Sequence, residues 1–128
     1  MQETSEALTR GVRVQVESRH DPGRSHHGLW FFLYTVTLSN EGDEPVRLLT
    51  RHWIIQDANG RVEEVRGPGV VGETPRLEPG ESFEYTSGCP LPTAFGSMRG
   101  TYQMVTDSGE AFDADIAEFT LSAPLQVH

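Results

Sequence analysis

Apolar residues recur at every second position through most of this chain, and that period belongs to β-strands, whose successive side chains point to opposite faces. The pattern is strongest between Leu29 and Asn40. There Trp30, Phe32, Tyr34, Val36 and Leu38 share one face, while Thr35, Thr37 and Ser39 take much of the other beside Phe31 and Leu33. Val12, Val14 and Val16 alternate with Arg13, Gln15 and Glu17 in the same way. Further strands are expected over Val46–Asp57, Arg61–Arg66, Ser82–Ser87, Gly100–Thr106 and Phe112–Leu121. Turn signals separate them: Asn40-Glu41-Gly42-Asp43, Asp57-Ala58-Asn59-Gly60, Pro79-Gly80 and Asp107-Ser108-Gly109. Asn59-Gly60 predicts a type I′ hairpin turn, and Pro79-Gly80 a type II turn. No stretch carries helical spacing with caps.

About seven strands with turns between them predict an all-β fold, an immunoglobulin- or fibronectin type III-like sandwich. Its inner faces would pack Trp30, Phe32, Tyr34, Val36, Leu38, Phe83, Tyr85, Tyr102 and Phe119. A length of 128 residues suits one domain. Its core is expected over residues 9–122, with 1–8 and 123–128 as flexible ends.

Charge and cysteine content narrow the classes of partner. All ten basic side chains are arginine, against 19 acidic ones, for a net charge of −9. That balance repels phosphate backbones and anionic bilayers, so neither nucleic acid nor membrane is an expected partner. Cys89 is the single cysteine, so no internal disulfide forms. With a start that lacks a basic-then-apolar leader and no apolar run of about 20 residues, the expected compartment is the cytoplasm.

The middle of the chain carries a run of local motifs: Arg51-His52-Trp53-Ile54-Ile55, then Gly67-Pro68-Gly69-Val70-Val71-Gly72-Glu73, then Leu77-Glu78-Pro79-Gly80-Glu81-Ser82-Phe83. Tyr85-Thr86-Ser87-Gly88-Cys89-Pro90-Leu91, Gly96-Ser97-Met98-Arg99-Gly100 and Tyr102-Gln103-Met104 follow. In combination they resemble the ApaG family over roughly Thr9 to Ser122. The resemblance implies a fibronectin-like sandwich. Similar domains within a eukaryotic F-box protein and a polymerase-delta-interacting protein imply protein interaction, and the stand-alone bacterial members imply a link to divalent-cation homeostasis. It implies no catalytic residues.

Several motifs admit a chemical and a structural reading. Gly67 to Gly72 matches G-x-G-x-x-G, but a dinucleotide site needs a helix after the glycines. Pro75 and Pro79 follow instead and cannot continue one, so no nucleotide and no cofactor are expected. Cys89 and His52 could form a thiolate–imidazole pair, although Cys89 has no cue that would lower its pKa. His20, Asp21, His26 and His27 share a loop, which makes the three histidines weak metal candidates without a closed ligand set. Trp53 admits two readings, an exposed Arg51–Trp53 pair that anchors a partner or a core tryptophan. If Ile54 faces the core, His52 shares its face and Trp53 does not.

The expected function is therefore a non-catalytic protein–protein interaction module with an unidentified protein partner. The alternative is a small-ligand or divalent-cation binder. The binding surface is expected on the loops Arg66–Arg76 and Gly88–Gly100, using Trp53, Gly67, Gly69, Gly72, Leu91, Phe95 and Met98. Gly88-Cys89-Pro90-Leu91-Pro92 looks too proline-rich for a central strand, which would bring Leu91 and Phe95 to the surface.

Overall fold

The computed structural model describes residues 3–124. Nine strands follow in order: β1 (Glu3–Thr9), β2 (Val12–His20), β3 (Trp30–Asn40), β4 (Val46–Asp57), β5 (Val62–Pro68), β6 (Arg76–Leu77), β7 (Ser82–Leu91), β8 (Phe95–Thr106) and β9 (Ala111–Ser122). A single 3-10 turn, Pro22–Arg24, is the only helical element among the described residues. The strands form two antiparallel sheets, ordered β1-β2-β3-β7 and β5-β4-β8-β9, with β6 beside the start of β4. The fold is the immunoglobulin/fibronectin-like sandwich that the alternation predicts. Val12, Val14 and Val16 of β2 and Phe32, Tyr34, Val36 and Leu38 of β3 are buried against Tyr102, Met104, Phe119 and Leu121 of the second sheet.

The ends need correction. Residues 3–8 belong to β1, which pairs with β2 from Glu3↔Ser18 to Thr9↔Val12. Its inward positions are Ser5, Ala7 and Thr9, while Leu8 faces solvent, so the strand shows none of the apolar alternation that marks the others. Ala123 likewise packs against the core, and its N–H bonds the Ala94 carbonyl. Residues 1–2 and 125–128, also expected as flexible ends, lie outside the described residues.

The β4–β5 turn differs from expectation too. Gly60 has a φ of 83° but Asn59 keeps a negative φ, so the turn is not type I′. The Gly60 N–H reaches the Asp57 carbonyl, and the Asp57 carboxylate accepts from the N–H groups of Asn59 and Arg61. The aspartate side chain thereby shapes a wider turn, with only Gly60 in the left-handed region.

The sandwich is not closed evenly. β1 and β2 pack on β9, and side-chain bonds latch this edge: Ser5 Oγ donates to the Ala117 carbonyl at 2.8 Å and Ser18 Oγ to the Thr120 carbonyl at 2.6 Å. At the opposite edge, β7 and β5 each end their sheet, and no comparable packing joins them among the described residues.

Candidate functional site: a cleft at the open edge

Between β5 and β7 the sandwich gapes into a cleft of about 530 Å³. Tyr34, Arg51, Trp53, Ile55, Tyr85, Cys89 and Met98 line it, with Glu63 and Val65 on the β5 wall and Val70, Val71 and Gly72 at its rim. The placement of Arg51, Trp53 and Ile55 follows from a bulge in β4. The register with β8 slips between Leu48 and Thr50, so Leu49 is an extra residue and the strand's parity reverses after it. Val46 and Leu48 face inward before the bulge; Arg51, Trp53 and Ile55 face inward after it. His52 and Ile54 therefore point to the outer face, where His52 Nε2 bonds Glu64 Oε1 at 2.7 Å. That puts His52 on the far side of the sheet from Cys89 and separates the suggested thiolate–imidazole pair.

Trp53 is a core tryptophan, only 3% exposed, which corrects its expected place on a surface patch. Its ring meets Tyr34, Tyr102 and Phe119 edge-on at centroid distances of 5.2, 6.2 and 5.9 Å. Opposite it on β8 stands Gly100, where a Cβ would lie 2.0 Å from the His52 carbonyl oxygen. The indole Nε1 is buried without a hydrogen-bond partner among the described residues. Burying an unsatisfied donor costs about 1–3 kcal/mol, and native structures rarely leave one without a reason.

Arg51 is half-buried beside it. Its Nη1 donates to the carbonyls of Pro68 at 2.9 Å and Gly69 at 2.8 Å. The guanidinium lies over Gly67, whose Cβ position would come within 2.9 Å of Nη2, so the absent side chain makes room for it. Among the described residues no carboxylate approaches Arg51 within ion-pair distance, unlike Arg13 or Arg76, each paired with two acids. Tyr85 of the cleft is linked to the core: its hydroxyl and that of the fully buried Tyr102 hydrogen-bond each other. Burial pushes the pKa of Tyr34, Tyr85 and Tyr102 above the usual phenol value, against the opposing pull of the Arg51 charge. Burial also pushes the Cys89 thiol up to about 12, with the Glu63 charge acting in the same direction, so the thiol stays protonated at neutral pH.

The rim loop explains the remaining glycines. Val70 and Glu73 exchange backbone bonds across a two-residue tip, Val71-Gly72, in which both residues have positive φ, 43° and 81°. Gly72 sits where the left-handed region is needed, and the Gly69 N–H ties the loop to the Leu49 carbonyl at the bulge. No helix follows, because Glu73 to Pro75 lead into β6.

Of the other predicted surface residues, Phe95 is exposed at 56%, whereas Met98 and Leu91 are corrections at 1% and 3%. Met98 lies in central strand β8 between Ile55 and Phe119. Leu91 is buried because β7 continues through Pro90, pairing Pro90 with Phe31 and Leu91 with Trp30. β7 is an edge strand, where proline's missing N–H is tolerated. Most of the expected loop from Gly88 to Gly100 is therefore strand. Trp53, Met98 and Gly72 meet in the cleft, while Leu91 and Phe95 lie outside its lining. Arg51, expected as the exposed partner of Trp53, and Cys89, expected within the Gly88–Gly100 loop, also line the site; Tyr34 and Tyr85, expected only in the core, complete it.

Of the loop histidines, His20 is engaged structurally. Ser25 Oγ donates to the Asp21 carbonyl and accepts from the Phe31 N–H, so the 2.9 Å contact makes His20 Nε2 a donor. His26 and His27 are exposed, and among the described residues no three His, Cys, Asp or Glu side chains converge on a metal position. No helix of the described residues is long and apolar enough to cross a membrane.

Two antiparallel sheets with a lateral cleft place the chain in the class of immunoglobulin- and fibronectin-like sandwiches. The ApaG domain family model matches residues 14–106, and the chain belongs to that family. It is 58% identical over 120 residues to Protein ApaG of Anaeromyxobacter dehalogenans (strain 2CP-C), covering 94% of this chain and 96% of that one. It is 55% identical to Protein ApaG of Rhodopseudomonas palustris (strain TIE-1), covering 92% of each. A crystal structure from Bordetella pertussis, described as an ApaA protein, superposes with a TM-score of 0.87 at 50% identity over 90% of this chain and 95% of that one. The C-terminal domain of wzt, at 8% identity, a TM-score of 0.56 and coverage of 97% of this chain and 80% of that one, shares the fold alone.

Proposed function

We propose that this domain is a non-catalytic binding module that takes a segment of a partner protein into the cleft between β5 and β7. The observation that carries the reading is the one-sided closure of the sandwich. It leaves an aromatic-lined cleft between two free strand edges, each with main-chain groups available to an extended peptide. The rim adds an exposed apolar residue, Val71 at 57%. The net charge of −9 disfavours nucleic acid, nucleotide and anionic-membrane ligands, which further supports a protein partner. The protonated Cys89 and the outward-facing His52 support a role without nucleophilic chemistry.

Site-specific photo-crosslinking tests this. A benzophenone amino acid at Val71 stands at the cleft rim; the same group at Leu8, an exposed residue of β1, stands at the closed edge. In extract of the native host, a discrete adduct from position 71 and none of the same mass from position 8 is the expected result. Equal labelling from both positions, or none from position 71, would remove the cleft as the binding face.

A further inference from the structure

We infer that the cleft recognises a carboxylate, with Arg51 as its charged donor and the Trp53 indole as a second, neutral donor to the same ligand. This deepens the proposal above and rests on it. Two features of the site lack counterparts among the described residues. Arg51 carries a half-buried guanidinium with no carboxylate at ion-pair distance among the described residues, although 19 acidic residues are available to an arginine in this chain. Trp53 carries a buried N–H without an acceptor among the described residues. They stand two residues apart on the inward face of β4, about 7 Å along the strand, and both line the one cleft. The missing partner is in both cases a hydrogen-bond acceptor, and at Arg51 a negatively charged one.

The arginine is also prepared for such a partner. Bonds from Nη1 to the Pro68 and Gly69 carbonyls fix the guanidinium, so less side-chain freedom is lost when a ligand binds. The cleft otherwise offers rings and thioether, namely Tyr34, Tyr85 and Met98, which suit an apolar group beside the carboxylate. Glu63 lines the same cleft but stands opposite Ile55 on the ladder, four residues along β4 from Arg51, so it bounds the site at the far end. The overall charge of −9 opposes an approaching anion through solvent. Screening within about 8–10 Å leaves the arginine dominant once the ligand has entered.

The carboxylate could come from an acidic side chain or from a chain terminus of the partner, and the test separates the two. N-acetyl-L-phenylalanine presents the terminal group, N-acetyl-L-glutamic acid α-amide the side-chain group, and N-acetyl-L-phenylalaninamide neither. Each is titrated to about 20 mM against ¹⁵N-labelled protein, following the Trp53 indole N–H signal, because fragments of this size bind in the millimolar range. At least one acid should move the signal along a saturating curve, and the neutral amide should not. Which acid does so identifies the source. Arg51→Gln should weaken binding about tenfold or more, and Arg51→Lys, which keeps the charge without the fork, by less. For the variants, an amide spectrum like that of the parent shows that the fold is kept. Equal effects of acid and amide, no response to any probe, or unchanged affinity in a folded Arg51→Gln protein would each overturn the carboxylate assignment. Such a failure alongside a specific Val71 adduct would leave the cleft standing and remove only its chemistry.

Discussion

Val71 is held against its own preference. A β-branched residue at a φ of 43° is a conformational outlier, and strain of this kind costs about 1–3 kcal/mol. Burial does not repay it, since the side chain is largely exposed at the cleft rim. Val71→Gly should therefore raise stability by about 1 kcal/mol, read as a higher urea midpoint with an unchanged slope. A lowered midpoint would show that contacts of the valine outweigh its strain. Asn40 is the opposite case, a buried polar residue with its bonds made. Its amide donates to the Glu44 and Leu77 carbonyls and its side-chain oxygen accepts from the Gly42 N–H, so one side chain organises the loops around it. From the sequence it reads only as the junction of a strand and a turn.

Single strands show why the fold was legible and the site was not. In β2 and β3 the alternation runs unbroken and reports burial directly. In β4 the same rule fails at Leu49, because a bulge is an insertion in the pairing that leaves no mark in composition. Continuing the alternation of Val46 and Leu48 places His52 and Ile54 inside; the bulge puts Arg51 and Trp53 there, and with them the floor of the cleft. β1 is not legible because its inward residues are small, nor is the end of β7, because Pro90 is excluded only from strands with a neighbour on both sides. β8 also shifts register, between Met98 and Gly100, beside the close approach of Gly100 to β4. The obstructing atom there is a backbone carbonyl in a central ladder and cannot swing aside. Gly100→Ala should cost about 2–3 kcal/mol, measured by thermal melting. A change below about 0.5 kcal/mol would mean that the two strands separate more easily than their packing implies.

At the scale of the whole molecule, burial of Tyr34, Tyr85, Tyr102 and Cys89 predicts sensitivity to alkali. Each is neutral when folded, and its folded pKa is raised above the unfolded value of 10.0 for tyrosine or 9.0 for cysteine. The unfolded chain therefore releases these protons first. The stabilisation is complete below pH 9 and, for the cysteine, is lost as pH rises from 9 toward about 12, with the tyrosines adding from 10 upward. The melting temperature should fall steeply across that range, and less steeply in Cys89→Ala. Identical slopes for the parent and this variant would show that the thiol does not contribute. Acid acts differently, because the lowered carboxyls, Glu41, Glu44 and Asp107, sit on the surface, where their partners contribute little.

The latch between β1, β2 and β9 has a mechanical consequence. The two sheets are bound along one side like the covers of a book, with Ser5 and Ser18 among the stitches of the spine. The fore-edge can spread while every ladder within each cover stays intact, since no backbone pairing crosses from β5 to β7. Spreading would still have to part the Tyr85–Tyr102 hydroxyl pair and the Tyr34–Trp53 ring contact, which join the two covers beside the cleft. If the proposed segment binds there, its way in lies through the fore-edge and not past the spine.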